Sequence, residues 1–237
     1  MFDKRRKKLK QMSRSQKNPS SMIAAISPNS RVAEQFRTIR TNIQFSMVTK
    51  NLQTILFSSS GPYEGKSTIC TNVASVFADQ GKRVLVVDAD MRLPSIAKIF
   101  HLNNKVGLST LMTSQHLKVE EAIQHVEAVH FDVLPSGIVP PNPSELLDTE
   151  RMDEIIDELK QQYDLILFDL PPIVSVTDAQ IMATKVDGVI LVIRKDIAEV
   201  EEVYKAKELL DLVNANVLGA VFNGETNNYD YSNSYYR

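Results

Sequence analysis

The stretch Thr54-Ile55-Leu56-Phe57-Ser58-Ser59-Ser60-Gly61-Pro62-Tyr63-Glu64-Gly65-Lys66-Ser67-Thr68 decides the fold. It opens on an apolar run, Thr54–Ser58, that reads as a strand, and it leads into Ile69 to Ala78, which reads as a helix. A glycine-bearing turn ending in Gly-Lys-Ser-Thr between strand and helix is a phosphate-binding loop, because backbone N–H groups and the helix N-terminus face an anion there. Lys66 would neutralise the β- and γ-phosphates, and the Ser67 hydroxyl would ligate Mg²⁺. Ser60, Gly61, Glu64, Gly65, Lys66, Ser67 and Thr68 are the candidate nucleotide-binding residues, and nucleotide chemistry is the leading expectation.

Outward from this loop, strand and helix patterns alternate. Strands are expected at Thr54–Ser58, Arg83–Val87, His130–Leu134, Leu165–Phe168, Gly188–Ile193 and Val217–Phe222. Most are continuous apolar runs, as parallel strands covered on both faces require. Helices are expected at 67–80, 95–101, 149–162, 178–185 and 197–213, with two short helices in 102–128. An earlier helix starts after Ser30, a plausible N-cap, with Val32, Phe36, Ile39 and Ile43 on one apolar face. Glu34, Arg37 and Arg40 fall on its opposite side; read on their own, they form a solvated face with local ion pairs. The alternation predicts an α/β fold of P-loop NTPase type: a doubly wound, mostly parallel sheet with ligand at the C-terminal ends of its strands.

Two of those ends carry carboxylates. Val84–Val87 runs into Asp88-Ala89-Asp90-Met91-Arg92, and Leu165–Phe168 runs into Asp169-Leu170-Pro171-Pro172. An aspartate at a strand end is often only a turn residue or cap. Two such ends beside a phosphate loop bring three carboxylates to one metal–phosphate centre, since Mg²⁺ takes oxygen ligands, often through water. Asp88 is the better general base, because its strand is expected to neighbour the loop strand and a carboxylate there can accept a hydroxyl proton. Asp90 and Asp169 are then cast as holders of Mg²⁺-bound water; the sequence leaves open which carboxylate takes which role. Asp178 divides evenly between helix cap and nucleotide sensor.

Charge is distributed unevenly. Residues 1–20 hold eight basic side chains against Asp3 alone, a net +7 that leaves −9 for the rest of a chain totalling −2. Residues 1–29 have little to bury and are expected to be a flexible segment. A basic segment on an acidic domain points to an anionic partner, either lipid or the cytoplasmic tail of a membrane protein. No reading motif or aromatic interleaving supports nucleic acid. No apolar run approaches a membrane span, and no signal-peptide core follows the basic start, so a cytoplasmic chain is expected. One cysteine excludes an intramolecular disulfide, and Cys70 reads as a small buried residue. The four histidines show no metal-ligand spacing, and no Ser/His/Asp hydrolase arrangement is present. Residues 227–237, which carry Tyr229, Tyr231, Tyr235 and Tyr236, are expected to be a mobile tail. The domain itself is placed at 30–226.

These residues resemble the bacterial tyrosine kinases of the BY-kinase type, which regulate capsule and exopolysaccharide synthesis. The likeness rests on the loop ending Glu64-Gly65-Lys66-Ser67-Thr68 and on Val86-Val87-Asp88-Ala89-Asp90-Met91-Arg92-Leu93-Pro94, similar to the family's second Walker-type motif. It rests also on Asp164 through Pro172, similar to its Walker B segment, and on the terminal tyrosines. Glu34-Gln35-Phe36-Arg37-Thr38-Ile39-Arg40 fits the family's Glu-x-x-Arg-x-x-Arg pattern for ring-like self-association, and Gly219-Ala220-Val221-Phe222-Asn223 looks like its closing strand. The resemblance spans residues 30–237. It implies ATP and Mg²⁺ as cofactors, Lys66 and Asp88 as catalytic, and Ser67, Asp88, Asp90 and Asp169 around the metal. It also implies autophosphorylation of the four tail tyrosines, mainly between subunits, and an oligomer interface at Glu34, Arg37 and Arg40.

Implied partners are a separate transmembrane activator of the chain-length-determinant class, a tyrosine phosphatase and protein substrates, with no nucleic acid. The implied place is the inner face of the cell membrane. Two departures stand out. Ser60 occupies a position where phosphate loops usually carry glycine, and Gly61 stands where partitioning-type ATPases carry a signature lysine. The second weakens the competing reading, a partitioning-type ATPase switch without kinase activity.

Overall fold

The computed structural model describes residues 22–50, 52–114 and 116–224. The basic residues of 1–20 and Tyr229, Tyr231, Tyr235 and Tyr236 lie outside the described residues. The strands are β1 (Thr54–Ser59), β2 (Val84–Asp88), β3 (Gln124–Val126), β4 (Phe131–Leu134), β5 (Leu165–Asp169), β6 (Gly188–Arg194) and β7 (Val217–Asn223). They form one sheet in the order β3-β4-β2-β5-β1-β6-β7. All pairs are parallel except β3 with β4.

The helices are α1 (Ile23–Ile26), α2 (Arg31–Lys50), α3 (Lys66–Ala78), α4 (Ile96–Phe100), α5 (Leu108–Thr113) and α6 (Val119–Ala122), then α7 (Pro143–Leu147), α8 (Glu150–Gln162), α9 (Asp178–Ala183) and α10 (Val200–Leu212). Strand alternation sorts the core into two layers. Ile55, Phe57, Val84, Val86, Leu165 and Leu167 face α1–α4, while Leu56, Leu85, Val87, Ile166 and Phe168 face α5, α6 and α8–α10. Burial on both faces explains why these strands read as unbroken apolar runs. In α8, Met152, Ile155, Ile156 and Leu159 recur at helical spacing and are all buried, so that stripe alone fixes which side of the helix meets the sheet.

Four features differ from the sequence expectation, the first being the short helix α7, which was not expected. The stretch 102–128 holds the two short helices but also β3, where only Val126 of three residues is buried; so short a strand leaves no alternation to read. Packing begins ahead of Ser30: Met22, Ala24 and Ile26 are buried on the α2–α3 side, although residues up to 29 were expected to be flexible. Ala24 N also donates to Asn72 Oδ1 of α3 at 3.0 Å. Finally, β2 does not neighbour the loop strand. β5 lies between β1 and β2, so Asp169 ends the strand beside the phosphate loop and Asp88 ends the next one out. The cap at Ser30 is present, with Ala33 N donating to Ser30 Oγ at 3.1 Å.

Candidate nucleotide and phosphoryl-transfer site

β1 delivers the chain to the loop at its C-terminal end, and α3 begins at Lys66. The turn depends on Gly65. Its φ of +89° lies in the left-handed region, and a Cβ there would stand 2.5 Å from Asn223 Nδ2. Asn223, the last residue of β7, donates that Nδ2 to Glu64 O at 2.9 Å. Glu64 itself is buried and turned into the loop. Its Oε1 accepts from Ser60 Oγ at 2.6 Å and Gly61 N at 2.5 Å, and its Oε2 accepts from Arg194 N at 3.0 Å. Of the residues expected to bind nucleotide, Glu64 and Ser60 therefore place their side chains on the loop rather than outward. Gly65, Lys66, Ser67 and Thr68 form the start of α3, where N–H groups converge on an anion.

The expected carboxylates do converge. Lys66 Nζ donates to Asp90 Oδ2 at 2.8 Å and lies 3.8 Å from Asp169 Oδ1. Ser67 Oγ donates to Asp169 Oδ2 at 2.5 Å. Asp88 Oδ2 accepts from Ser95 N at 3.1 Å and Ile96 N at 2.9 Å, which places it over the first turn of α4. Asp90 Oδ1 accepts from Leu93 N at 3.0 Å and closes the turn between them. All three carboxylates are buried.

Burial sets the electrostatics. It pushes the Asp88 carboxyl up to about 8, with the charge of Asp169 adding to the effect and the Ile96 N–H and Lys66 opposing it. Burial also raises Asp169 against the pull of Lys66 and Ser67. For Lys66, burial works to lower the ammonium, but Asp169 and Asp90 outweigh it and the group stays firmly charged. Cys70 is buried, and burial pushes its thiol well up, as an inert core cysteine requires.

A Mg²⁺ fits this donor set. Asp88 Oδ1 and Asp169 Oδ1 are buried acceptors without a hydrogen-bond partner, an arrangement that a hydrated cation would satisfy. Among the described residues, no group of three or more His, Cys, Asp or Glu side chains closes a metal cage. The carboxylates are thus suited to holding the waters of an ion that Ser67 and phosphate oxygens would also ligate.

Other expected residues are placed differently. Arg40 Nη1 donates to Val76 O of α3 at 3.0 Å, a contact within the chain. Arg37 pairs with Glu34 and also reaches Pro28 O, and Glu34 remains exposed. Asp178 neither caps α9, whose N-cap is Thr177, nor stands alone: both its oxygens accept from Arg92. The inward turn of Glu64, the role of Asn223 and the Arg92–Asp178 pair were all missed in the sequence. Each joins residues separated by 86 or more positions, apart from the contacts inside the loop, and no local pattern marks them.

Comparisons with known proteins find relatives along most of the chain. The profile of a family described as an AAA domain matches residues 53–218. The chain is similar to tyrosine-protein kinase YwqD of Bacillus subtilis, 45% identical over 213 residues that cover 90% of this chain and 88% of YwqD. It is 33% identical over 204 residues to tyrosine-protein kinase Wzc of Salmonella typhimurium, covering 86% of this chain but 28% of that longer protein. Among solved structures, the kinase domain of the Escherichia coli tyrosine kinase ETK superposes with a TM-score of 0.84 at 31% identity, covering 90% of this chain and 84% of that one.

Proposed function

Since the chain belongs to the bacterial tyrosine-protein kinases, we propose that it uses ATP with Mg²⁺ to phosphorylate the tyrosines of its own C-terminal cluster, Tyr229, Tyr231, Tyr235 and Tyr236, mainly on a neighbouring subunit, in control of capsule or exopolysaccharide synthesis. The observation that carries this reading is the convergence of Lys66, Ser67, Asp88, Asp90 and Asp169 at the ends of three strands.

The roles follow from the geometry. Loop N–H groups and Lys66 hold the phosphates, with Lys66 passing from Asp90 to the incoming anion. When bound, Mg²⁺ supplies charge neutralisation at the β- and γ-phosphate oxygens. Ser67 would hold the ion directly, and Asp90 and Asp169 would hold it through water. Asp88 accepts the tyrosine hydroxyl proton as that oxygen bonds to the γ-phosphorus and ADP departs. Burial holds its carboxyl above the usual carboxylate range, the direction that favours taking up a proton.

The partner reading follows the family likeness: the chain covers 88% of YwqD and 28% of the longer Wzc. A separate transmembrane activator of the chain-length-determinant class would hold the kinase at the inner membrane face, with the basic segment 1–20 against anionic lipid or that partner. Exposed Glu34 and the partly exposed Arg37 and Arg40 on α2 would serve a ring interface.

The test is to incubate the chain and a Lys66→Met variant with Mg²⁺ and ATP, with and without an activator, and map phosphotyrosine. Lys66-dependent phosphate on the four tail tyrosines is expected. ATP turnover with no phosphotyrosine under any condition would return the chain to the ATPase-switch reading.

A further inference from the structure

Arg92 Nε and Nη2 donate to Asp178 Oδ2 and Oδ1, each at 2.9 Å, in a two-pronged ion pair. The Asp178 side chain is fully buried, while that of Arg92 is 37% exposed. The two ends of this pair belong to different parts of the site. Arg92 follows Asp90 by two residues, in a turn fixed by the buried Met91 and by the Leu93 N–H on Asp90 Oδ1. Asp178 opens α9, which is anchored by the buried Ala179, Met182 and Ala183 and follows the Pro171-Pro172 turn after Asp169. Because β2 and β5 are adjacent, with Asp88 in register with Asp169, the pair ties the turn beyond one catalytic strand end to the segment beyond the other.

We propose that Arg92 and Asp178 are a positioning pair for phosphoryl transfer, fixing the Asp88–Asp90 turn relative to Asp169 and so the spacing of oxygens around Lys66. The inference rests on the kinase reading. Stability is a weak reason for it, because the Arg92 side chain is 37% exposed and an ion pair open to solvent on one side contributes little. A planar guanidinium gripping both carboxylate oxygens adds angular definition, which a single point charge does not provide. That definition falls where a small displacement moves a reacting oxygen.

The experiment compares the full chain with Arg92→Lys and with the double variant Arg92→Met/Asp178→Leu. It reads melting temperature, kcat and KM for ATP in tyrosine phosphorylation, and in parallel ADP release without a tyrosine acceptor. The double variant is expected to keep its melting temperature and the KM for ATP while losing about 10–100-fold in kcat. Arg92→Lys, which keeps the charge but not the fork, is expected to lose kcat too, and it carries the test alone if the double variant does not fold. Wild-type kcat in folded variants would overturn the proposal, as would a rise in KM with kcat preserved. A wild-type chain that releases ADP but makes no phosphotyrosine would sink the kinase reading instead, and the variants' ADP release would then decide the pair by the same criteria.

Discussion

Lys66 Nζ donates to Asp90 Oδ2 at 2.8 Å, so the cation of the phosphate loop is matched by a carboxylate from the turn after β2. Incoming phosphate must compete with Asp90 for that ammonium. Asp90→Asn removes the competitor's charge. Binding of ADP in the presence of a Mg²⁺ chelator is expected to tighten, as calorimetry would show. Mg²⁺-dependent turnover is expected to fall by about 10²–10³-fold, because the same carboxylate orients the transfer centre. Unchanged chelated-ADP affinity would mean that Asp90 does not restrain Lys66.

Asp88 gives the pH dependence. Its carboxyl is raised from 3.8 to about 8 by burial first and by Asp169 second, so the fold favours the protonated form. The stability linked to this group is fully present below 3.8 and is lost as pH climbs through about 8. Asp88→Asn lacks this titration. The melting temperature of the variant should exceed that of the native chain by a margin that widens with pH and levels off above about 8. The same change should lower kcat by about 10²–10⁴-fold if Asp88 is the base. A margin that is flat with pH would show that the fold does not hold Asp88 protonated.

How much of this was legible in the sequence depends on the reach of each interaction. The loop, α8 and the central strands were readable because their signals are local: a Gly-Lys-Ser-Thr turn, a stripe at helical spacing, and apolar runs buried on both faces. The convergence of Asp88, Asp90 and Asp169 followed from the fold class. The strand order did not, because parallel strands joined by helices can be laid down in several orders with the same apolar runs, and here β5 inserts between β1 and β2. The inward turn of Glu64 was hidden for a related reason: its buried carboxylate is satisfied by Ser60 Oγ and Gly61 N together with the distant Arg194 N–H at the end of β6, and no local pattern marks that last donor.

On α2, the three residues expected at an oligomer interface separate physically. Glu34 is exposed and pairs with Arg37, whereas Arg40 donates to Val76 O of α3. Arg40→Ala should therefore lower the melting temperature, because it strips a hydrogen bond from a helix-end carbonyl, at a cost of about 1–3 kcal/mol. Glu34→Ala/Arg37→Ala should lower the melting temperature less, since the intrahelical pair contributes about 0.2–0.5 kcal/mol and the Arg37 contact with Pro28 O is open to solvent. If these two residues form the ring interface, sedimentation of the double variant will shift towards monomer. A native profile would assign them to solvent.

Glu64 supplies the most demanding test of how the loop is built. Its two oxygens accept from Ser60 Oγ, Gly61 N and Arg194 N, and all three are donors. Glu64→Gln nearly preserves volume but places an NH₂ against one of these N–H groups. One donor then faces another in a buried site, at a cost of about 1–3 kcal/mol. Part of that cost will appear in the folded loop's affinity for phosphate, with about tenfold weaker nucleotide binding for each 1.4 kcal/mol expressed there. Because the carboxylate is directed at the loop, the loss should be the same for ADP and ATP and should not depend on Mg²⁺. Parallel titrations of both nucleotides, with and without the cation, check this. A loss confined to ATP with Mg²⁺ would place Glu64 at the γ-phosphate and metal instead of inside the loop.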